Sequence, residues 1–143
     1  MSLRPAAGAV VIDTNWVLDL LVFEDPRSLD LGLALQAGSW RWLACEPMQD
    51  ELLRVLDYPL VARRLQRTGL AAQDVMARYR SLVHLQALPP SCGVRCTDPD
   101  DQVFVDLAAC HGAALLSKDK AVLALRRRLE PLGVAVSSAW ISQ

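Results

Sequence analysis

The sequence predicts an α/β fold: a three-layer α/β/α sandwich with a central parallel sheet. Three observations carry that expectation. Short apolar runs without polar alternation, chiefly residues 9–12 (Ala-Val-Val-Ile) and 113–116 (Ala-Ala-Leu-Leu), read as strands buried on both faces. Helical patterns separate these runs, and strand–helix alternation gives a parallel sheet covered on both sides. The 143 residues are 52% hydrophobic and 22% charged, enough for one sizeable core and too apolar for disorder. One domain over residues 1–143 is expected.

The elements follow in order. Residues 9–12 form the first strand. A helix over 15–23 comes next, with Thr14 and Asn15 placed to cap it. Pro26 breaks that helix; Ser28 or Asp30 starts the next, which runs to about Ala37 and ends at Gly38. Residues 40–45 read as a second strand. Pro47 fits the first turn of a helix that carries Met48, Leu52, Val55 and Leu56 on one stripe, with Glu51 beside it. A helical segment over 61–66 follows Pro59. Residues 71–88 read as one long helix with Val75, Tyr79, Leu82 and Val83 on its apolar face, stopped by Pro89-Pro90. Residues 92–96 are a short strand or a loop. Asp98-Pro-Asp-Asp101 is a helix-start signal, its acids suited to the positive end of the helix dipole, and Gly112 closes that helix after His111. A strand over 113–116, a helix over 120–129 and a last strand over 134–136 complete the chain.

Several acids stand at the ends of apolar runs. Asp13 closes the first strand, Asp119 follows the 113–116 strand by two residues, Asp101 opens a helix antiparallel to that strand, and Glu51 lies about one turn into the helix after the second strand. Right-handed crossovers bring strand carboxyl ends to one edge, where open α/β sheets place ligands. Carboxylates gathered there repel one another unless a cation or protons relieve them. Hard divalent ions such as Mg2+ or Mn2+ prefer such oxygen ligands. The expected arrangement has one ion held by Asp13 and Asp119 and a second by Glu51 with Asp101 or Asp98. A metal-activated water then attacks a phosphodiester, with no serine, cysteine or histidine nucleophile needed. His84 and His111 read as surface or helix-end residues.

The supporting residues leave alternatives open. Thr14 and Asn15 cap the first helix or orient Asp13. Ser117 donates to a phosphate or orients Asp119. Lys118 and Lys120 flank Asp119 and either meet substrate phosphates or lessen acid repulsion. Trp16, Trp40, Trp42 and Trp140 are able to stack on bases, but their place in or beside apolar runs points to packing. The formal net charge is −1, so nothing steers the whole chain toward nucleic acid. Arginine is nevertheless clustered, at Arg63-Arg64-Arg67, Arg78-Arg80 and Arg126-Arg127-Arg128, where guanidinium forks suit either phosphates or solvent. Cys45 and Cys110 read as small hydrophobes, and Cys92 with Cys96 is a weak zinc signal without a second close pair. No signal peptide or membrane-spanning run is visible, which makes a reduced, cytoplasmic setting the expectation.

Val-Val-Ile-Asp13-Thr-Asn15, Met-Gln-Asp-Glu51-Leu-Leu-Arg-Val-Leu, Asp98-Pro-Asp-Asp101-Gln-Val-Phe-Val-Asp-Leu-Ala and Leu-Leu-Ser117-Lys-Asp119-Lys, taken in this order, resemble the PIN domain. Within it the chain resembles the VapC-like subgroup, toxins of bacterial toxin–antitoxin systems. The resemblance runs from about Gly8 to Trp140. It implies a Rossmann-like sandwich and a Mg2+- or Mn2+-dependent endoribonuclease. The family's acids fall on Asp13, Glu51, Asp101 and Asp119, with Asp98 a further possible ligand and Asp100 a helix-start residue. Ser117 stands where the family more often has threonine, and the hydroxyl is kept. The resemblance also implies an RNA substrate, an antitoxin partner and a homodimer, and the run Leu18 to Val22 would fit a dimer or antitoxin face. A PIN-like RNA- or protein-binding module with little or no catalysis is the second reading.

Overall fold

The computed structural model describes residues 8–140. Five strands form one parallel sheet: β1 (Gly8–Ile12), β2 (Trp40–Ala44), β3 (Val83–Leu85), β4 (Ala114–Leu116) and β5 (Val136–Ser137), in the order β3-β2-β1-β4-β5. Helices flank it: α1 (Thr14–Leu21), α2 (Leu29–Gln36), α3 (Glu46–Val55), α4 (Pro59–Thr68), α5 (Ala72–Leu82), α6 (Gln102–His111), α7 (Lys120–Leu123) and α8 (Arg126–Leu129). The α/β/α sandwich expected from the apolar runs is the observed fold.

The central strand β1 pairs with β2 through Val10↔Trp42 and Val11↔Leu43, and with β4 through Val11↔Leu115 and Ile12↔Leu116. Val10, Val11, Ile12, Leu115 and Leu116 are all buried, as a strand covered on both faces requires. The chain leaves β1 toward β2 on one side and reaches β4 on the other. The crevice at this reversal is where a doubly wound sheet presents its ligand site. Helix α6 packs on both β1 and β4 and runs back along them, so its amino end lies at their carboxyl edge.

Three expectations change. The helix predicted over 71–88 stops at Leu82, and 83–85 become the edge strand β3, paired to β2 through Trp42↔Val83 and Ala44↔Leu85. Val83 continues the apolar stripe of the helix, so periodicity alone extends it. The outer edge of β2, however, needs backbone partners, and β3, continued by the Gln86 N–H to the Ala44 carbonyl at 2.7 Å, supplies them. The helix over 120–129 divides into α7 and α8 at Ala124-Leu125, whereas the 92–96 segment takes the loop alternative already open to it. The leucine run of α1 is not an outer face: Leu18, Leu20, Leu21 and Val22 are buried, because α1 sits against α2, α3 and α5. No helix among the described residues is long and apolar enough to cross a membrane.

Candidate metal centre

Two acids are fixed by the loops that leave β1 and β4. Asp13 follows β1 directly and caps α1; its Oδ1 accepts the Asn15 N–H at 3.2 Å. Its Oδ2 accepts the Ser117 hydroxyl at 2.6 Å. Ser117 is fully buried just after β4, and its Oγ in turn accepts the Asp119 N–H at 3.0 Å. Asp119 caps α7 by accepting the Ala121 N–H at 2.8 Å. One buried hydroxyl therefore ties the ends of two neighbouring strands together. Burial dominates the upward push on the Asp13 carboxyl, Ser117 and the helix cap pull it back, and the charge of Asp119 raises it further.

A second pair comes from the turn before α6. Pro99–Asp101 form a single 3-10 turn, and Asp98 caps it by accepting the Asp100 N–H at 3.0 Å. Carboxylate oxygens of Asp98, Asp101 and Asp119 lie within 4.8 Å of one another. Asp101 is only 8% exposed, and its Oδ2 is buried without a hydrogen-bond partner. Burial first, then the contact with Asp119 and the charges of Asp13, Asp119 and Asp98, push the Asp101 carboxyl up to about 8. A buried carboxylate oxygen without a donor costs stability unless a proton or a cation meets it.

The loop that delivers Asp98 is strapped to α6 by side chains that spacing alone does not single out. The Gln102 amide accepts the Cys96 N–H at 2.7 Å and donates to the Val94 carbonyl at 2.9 Å and to Asp106 at 3.0 Å. Asp106 also accepts the Cys92 N–H at 3.2 Å. Gln102 and Asp106 stand four apart on one helix face, and Gln102 is next to Asp101. That spacing was the available signal, although it does not disclose which loop it binds. Burial, with the acids nearby, pushes the Cys96 thiol up and keeps it neutral.

Glu51 projects from the second turn of α3, and Val103 and Asp100 line the same cleft as it does. Burial raises its carboxyl, the Asp13 charge adds to that, and the nearby Thr14 hydroxyl pulls it back. The sequence-predicted acids thus share one edge of the sheet, but their grouping differs from expectation. Asp119 clusters with Asp98 and Asp101, while one Asp13 oxygen is taken by Ser117 and the other by the α1 cap. Glu51 stands outside the close trio and faces Asp13 across Thr14.

The basic residues divide. Lys118 is ion-paired to Asp19 of α1 and lies over the Trp16 ring, 4.9 Å from its centroid, so its charge is already engaged. Arg64 donates to the Val22 and Phe23 carbonyls and closes the end of α1. Lys120 and Arg63 are exposed. Trp16 and Trp42 are core residues, and Trp40 packs edge-on against Trp140 at 4.9 Å between centroids.

A parallel sheet with hard oxygen donors collected at its switch point defines a Rossmann-like domain with a candidate divalent-cation centre. A PIN domain profile matches residues 9–121, and the chain belongs to the PIN domain family. Among solved structures it is similar to a chain in the crystal structure of VapBC2 from Rickettsia felis bound to a DNA fragment from their promoter. That likeness has a TM-score of 0.62 at 11% identity and covers 90% of this chain and 97% of that chain. At such identity it is a likeness of fold. No curated protein sequence matches the chain.

Proposed function

We propose that this protein is an endoribonuclease dependent on Mg2+ or Mn2+, the toxin of a toxin–antitoxin pair. The observation that carries the reading is the orphaned, buried Oδ2 of Asp101 inside a trio of carboxylates. The donors fit a hard cation: they are all carboxylate oxygens, and the one neighbouring thiol, Cys96, is held neutral. Asp98, Asp101 and Asp119 would hold the ion, with Asp13 and Glu51 adding negative charge beside it. When bound, such an ion offsets charge on the phosphoryl oxygens and makes a water more acidic.

The chain's own residues do the positioning. Ser117 fixes Asp13 and Asp119 relative to each other, and its hydroxyl proton is committed to Asp13, so it is not a nucleophile. Asp13 holds Oδ2 against that hydroxyl and Oδ1 against the Asn15 N–H, which sets the angle of its carboxylate. Burial and the Asp13 charge raise the Glu51 carboxyl, so its carboxylate is placed to receive a proton from a water and, once protonated, to pass it to a leaving oxygen. His111 ends α6 far from Asp101, and His84 is exposed on the edge strand, so neither serves as a base here.

Membership in the PIN family supports nuclease chemistry, and the fold shared with a VapBC2 chain supports the toxin role. Leu29, Leu33 and Leu60 are 63%, 56% and 68% exposed, apolar surface of the kind a protein partner covers, whether antitoxin or second copy. Purified protein incubated with single-stranded RNA and Mn2+ is expected to cleave it, with loss of cleavage in EDTA and in Asp13→Asn and Asp101→Asn. Equal cleavage by both variants would mean a contaminating nuclease, and binding without cleavage would leave an RNA-binding module.

A further inference from the structure

We propose that Gln102 and Asp106 of α6 are positioning residues for the metal centre: together they set where Asp98 meets the ion, and neither side chain is itself a ligand. This rests on the metal-dependent reading above and deepens it.

Asp98 is held through the chain on either side of it, and one residue holds both sides. Before it, Gln102 Oε1 accepts the Cys96 N–H at 2.7 Å. After it, the Gln102 backbone N–H donates to the Pro99 carbonyl, closing the turn in which the Asp101 N–H also meets the Asp98 carbonyl at 3.1 Å. Only Thr97 and Asp98 lie between the two clamped points. The Asp98 carboxylate takes its direction from the Asp100 N–H at 3.0 Å. Moving the clamp therefore moves that carboxylate relative to Asp101 and Asp119, with which it shares a cluster of oxygens no more than 4.8 Å apart.

Asp106 fixes the orientation of the clamp. It stands four residues from Gln102 on the same helix face, and its Oδ1 accepts Gln102 Nε2 at 3.0 Å and the Cys92 N–H at 3.2 Å. Nε2 also donates to the Val94 carbonyl at 2.9 Å. A side-chain amide donates only through nitrogen and accepts only through oxygen. Turned over, it would set its oxygen against the Val94 carbonyl and the Asp106 carboxylate, and its nitrogen against the Cys96 N–H. One orientation alone satisfies every partner. Residues 92, 94 and 96 thus present backbone groups to α6 at the period of a strand, but the partners are two side chains. These bonds matter because packing is partial: Cys92 and Val94 are only partly buried, and a cleft of about 500 Å3 opens beside the loop.

Groups that orient metal ligands are worth about 10–100-fold in metal affinity. Two substitutions separate this effect from plain charge. Gln102→Glu adds a negative charge next to Asp101, which by field alone would tighten cation binding; as a clamp it fails, because a carboxylate donates to neither Val94 nor Asp106. Asp106→Asn removes a negative charge, which by field alone would weaken binding; its Oδ1 still accepts both hydrogen bonds, so the clamp is kept.

The test measures Mn2+ uptake by the full chain at pH 8 from the electron paramagnetic resonance of the free ion, with thermal melts in EDTA to check the fold. Asp106→Ala and Gln102→Glu are each expected to weaken Mn2+ binding at least about tenfold, and Asp106→Asn to stay within about twofold of wild type. Where Asp106→Ala fails to fold, Gln102→Glu and Asp106→Asn decide between them. Unchanged or tighter binding in Gln102→Glu, or loss in Asp106→Asn as large as that in Gln102→Glu, overturns the proposal. Wild type and all variants binding Mn2+ alike removes the clamp and leaves the endoribonuclease reading standing. A wild type that takes up no Mn2+ removes both.

Discussion

Removing the divalent ion should make the folded protein progressively less stable as pH rises from about 4 to about 8. Burial and the neighbouring acids lift the Asp101 carboxyl from 3.8 to about 8 in the fold. Between those values the folded chain holds a proton that the unfolded chain has released. Stability then falls with rising pH, because the native state binds more protons than the unfolded one. The full stabilisation is present below about pH 4 and is lost as pH rises through the folded value. Asp13 and Glu51 are raised in the same direction and steepen the slope. Such a displacement corresponds to ~6 kcal/mol at most. One proton serves several carboxylates, so a loss of ~2–4 kcal/mol is the working magnitude. For a chain of this size that is roughly 5–10 °C in melting temperature. Asp101→Asn removes the charge and should melt higher than wild type at pH 8 in EDTA, with a flatter profile. Thermal melts of both proteins from pH 5 to pH 8.5 measure this. A flat wild-type profile, or an Asn variant less stable than wild type at pH 8, would refute the reasoning.

Other consequences share the same physics. Mg2+ or Mn2+ should raise the wild-type melting temperature through ligand linkage, by ~2–3 kcal/mol at a hundredfold excess over Kd, and should leave Asp101→Asn nearly unmoved in the same melts. Ser117→Ala removes the 2.6 Å hydrogen bond to Asp13 and leaves a buried acceptor short of a donor, costing ~1–3 kcal/mol; chemical denaturation in EDTA at neutral pH reads it. Gln102→Ala unstraps the loop before Asp98 and should weaken Mn2+ binding in calorimetry about tenfold while the far-ultraviolet spectrum stays that of the wild type. An unchanged affinity would mean that the loop holds its place without the amide.

What the sequence disclosed, and what it did not, follows from the range of the interactions. Residues 9–12 and 113–116 are apolar at every position because both sheet faces are covered, so the strands and the acids at their ends were legible from local composition. That Asp13 and Asp119 leave neighbouring strands was not legible: alternation sends strand ends to one edge, and only the observed order β3-β2-β1-β4-β5 sets β1 beside β4. The edge strand β3 was not legible: its three residues continue a helical stripe, and only pairing with Trp42 to Ala44, some forty residues earlier, turns them into a strand. The grouping of Asp119 with Asp98 and Asp101 was hidden for a similar reason. It depends on a loop held by Gln102 and Asp106, and on Ser117 occupying one Asp13 oxygen. Lys118 read as either a phosphate ligand or a relief of acid repulsion, because its partner, Asp19, lies 99 residues away. Long-range contacts of this kind leave no periodic trace.

The central claim is that Asp101 Oδ2 lacks a protein donor because a divalent cation is its partner. A crystal soaked in Mn2+ and measured at the manganese absorption edge tests it directly. The account predicts an anomalous peak among Asp98, Asp101 and Asp119, about 2 Å from Asp101 Oδ2. No peak at that edge of the sheet, with Asp101 Oδ2 turned onto a protein N–H or hydroxyl, would contradict it.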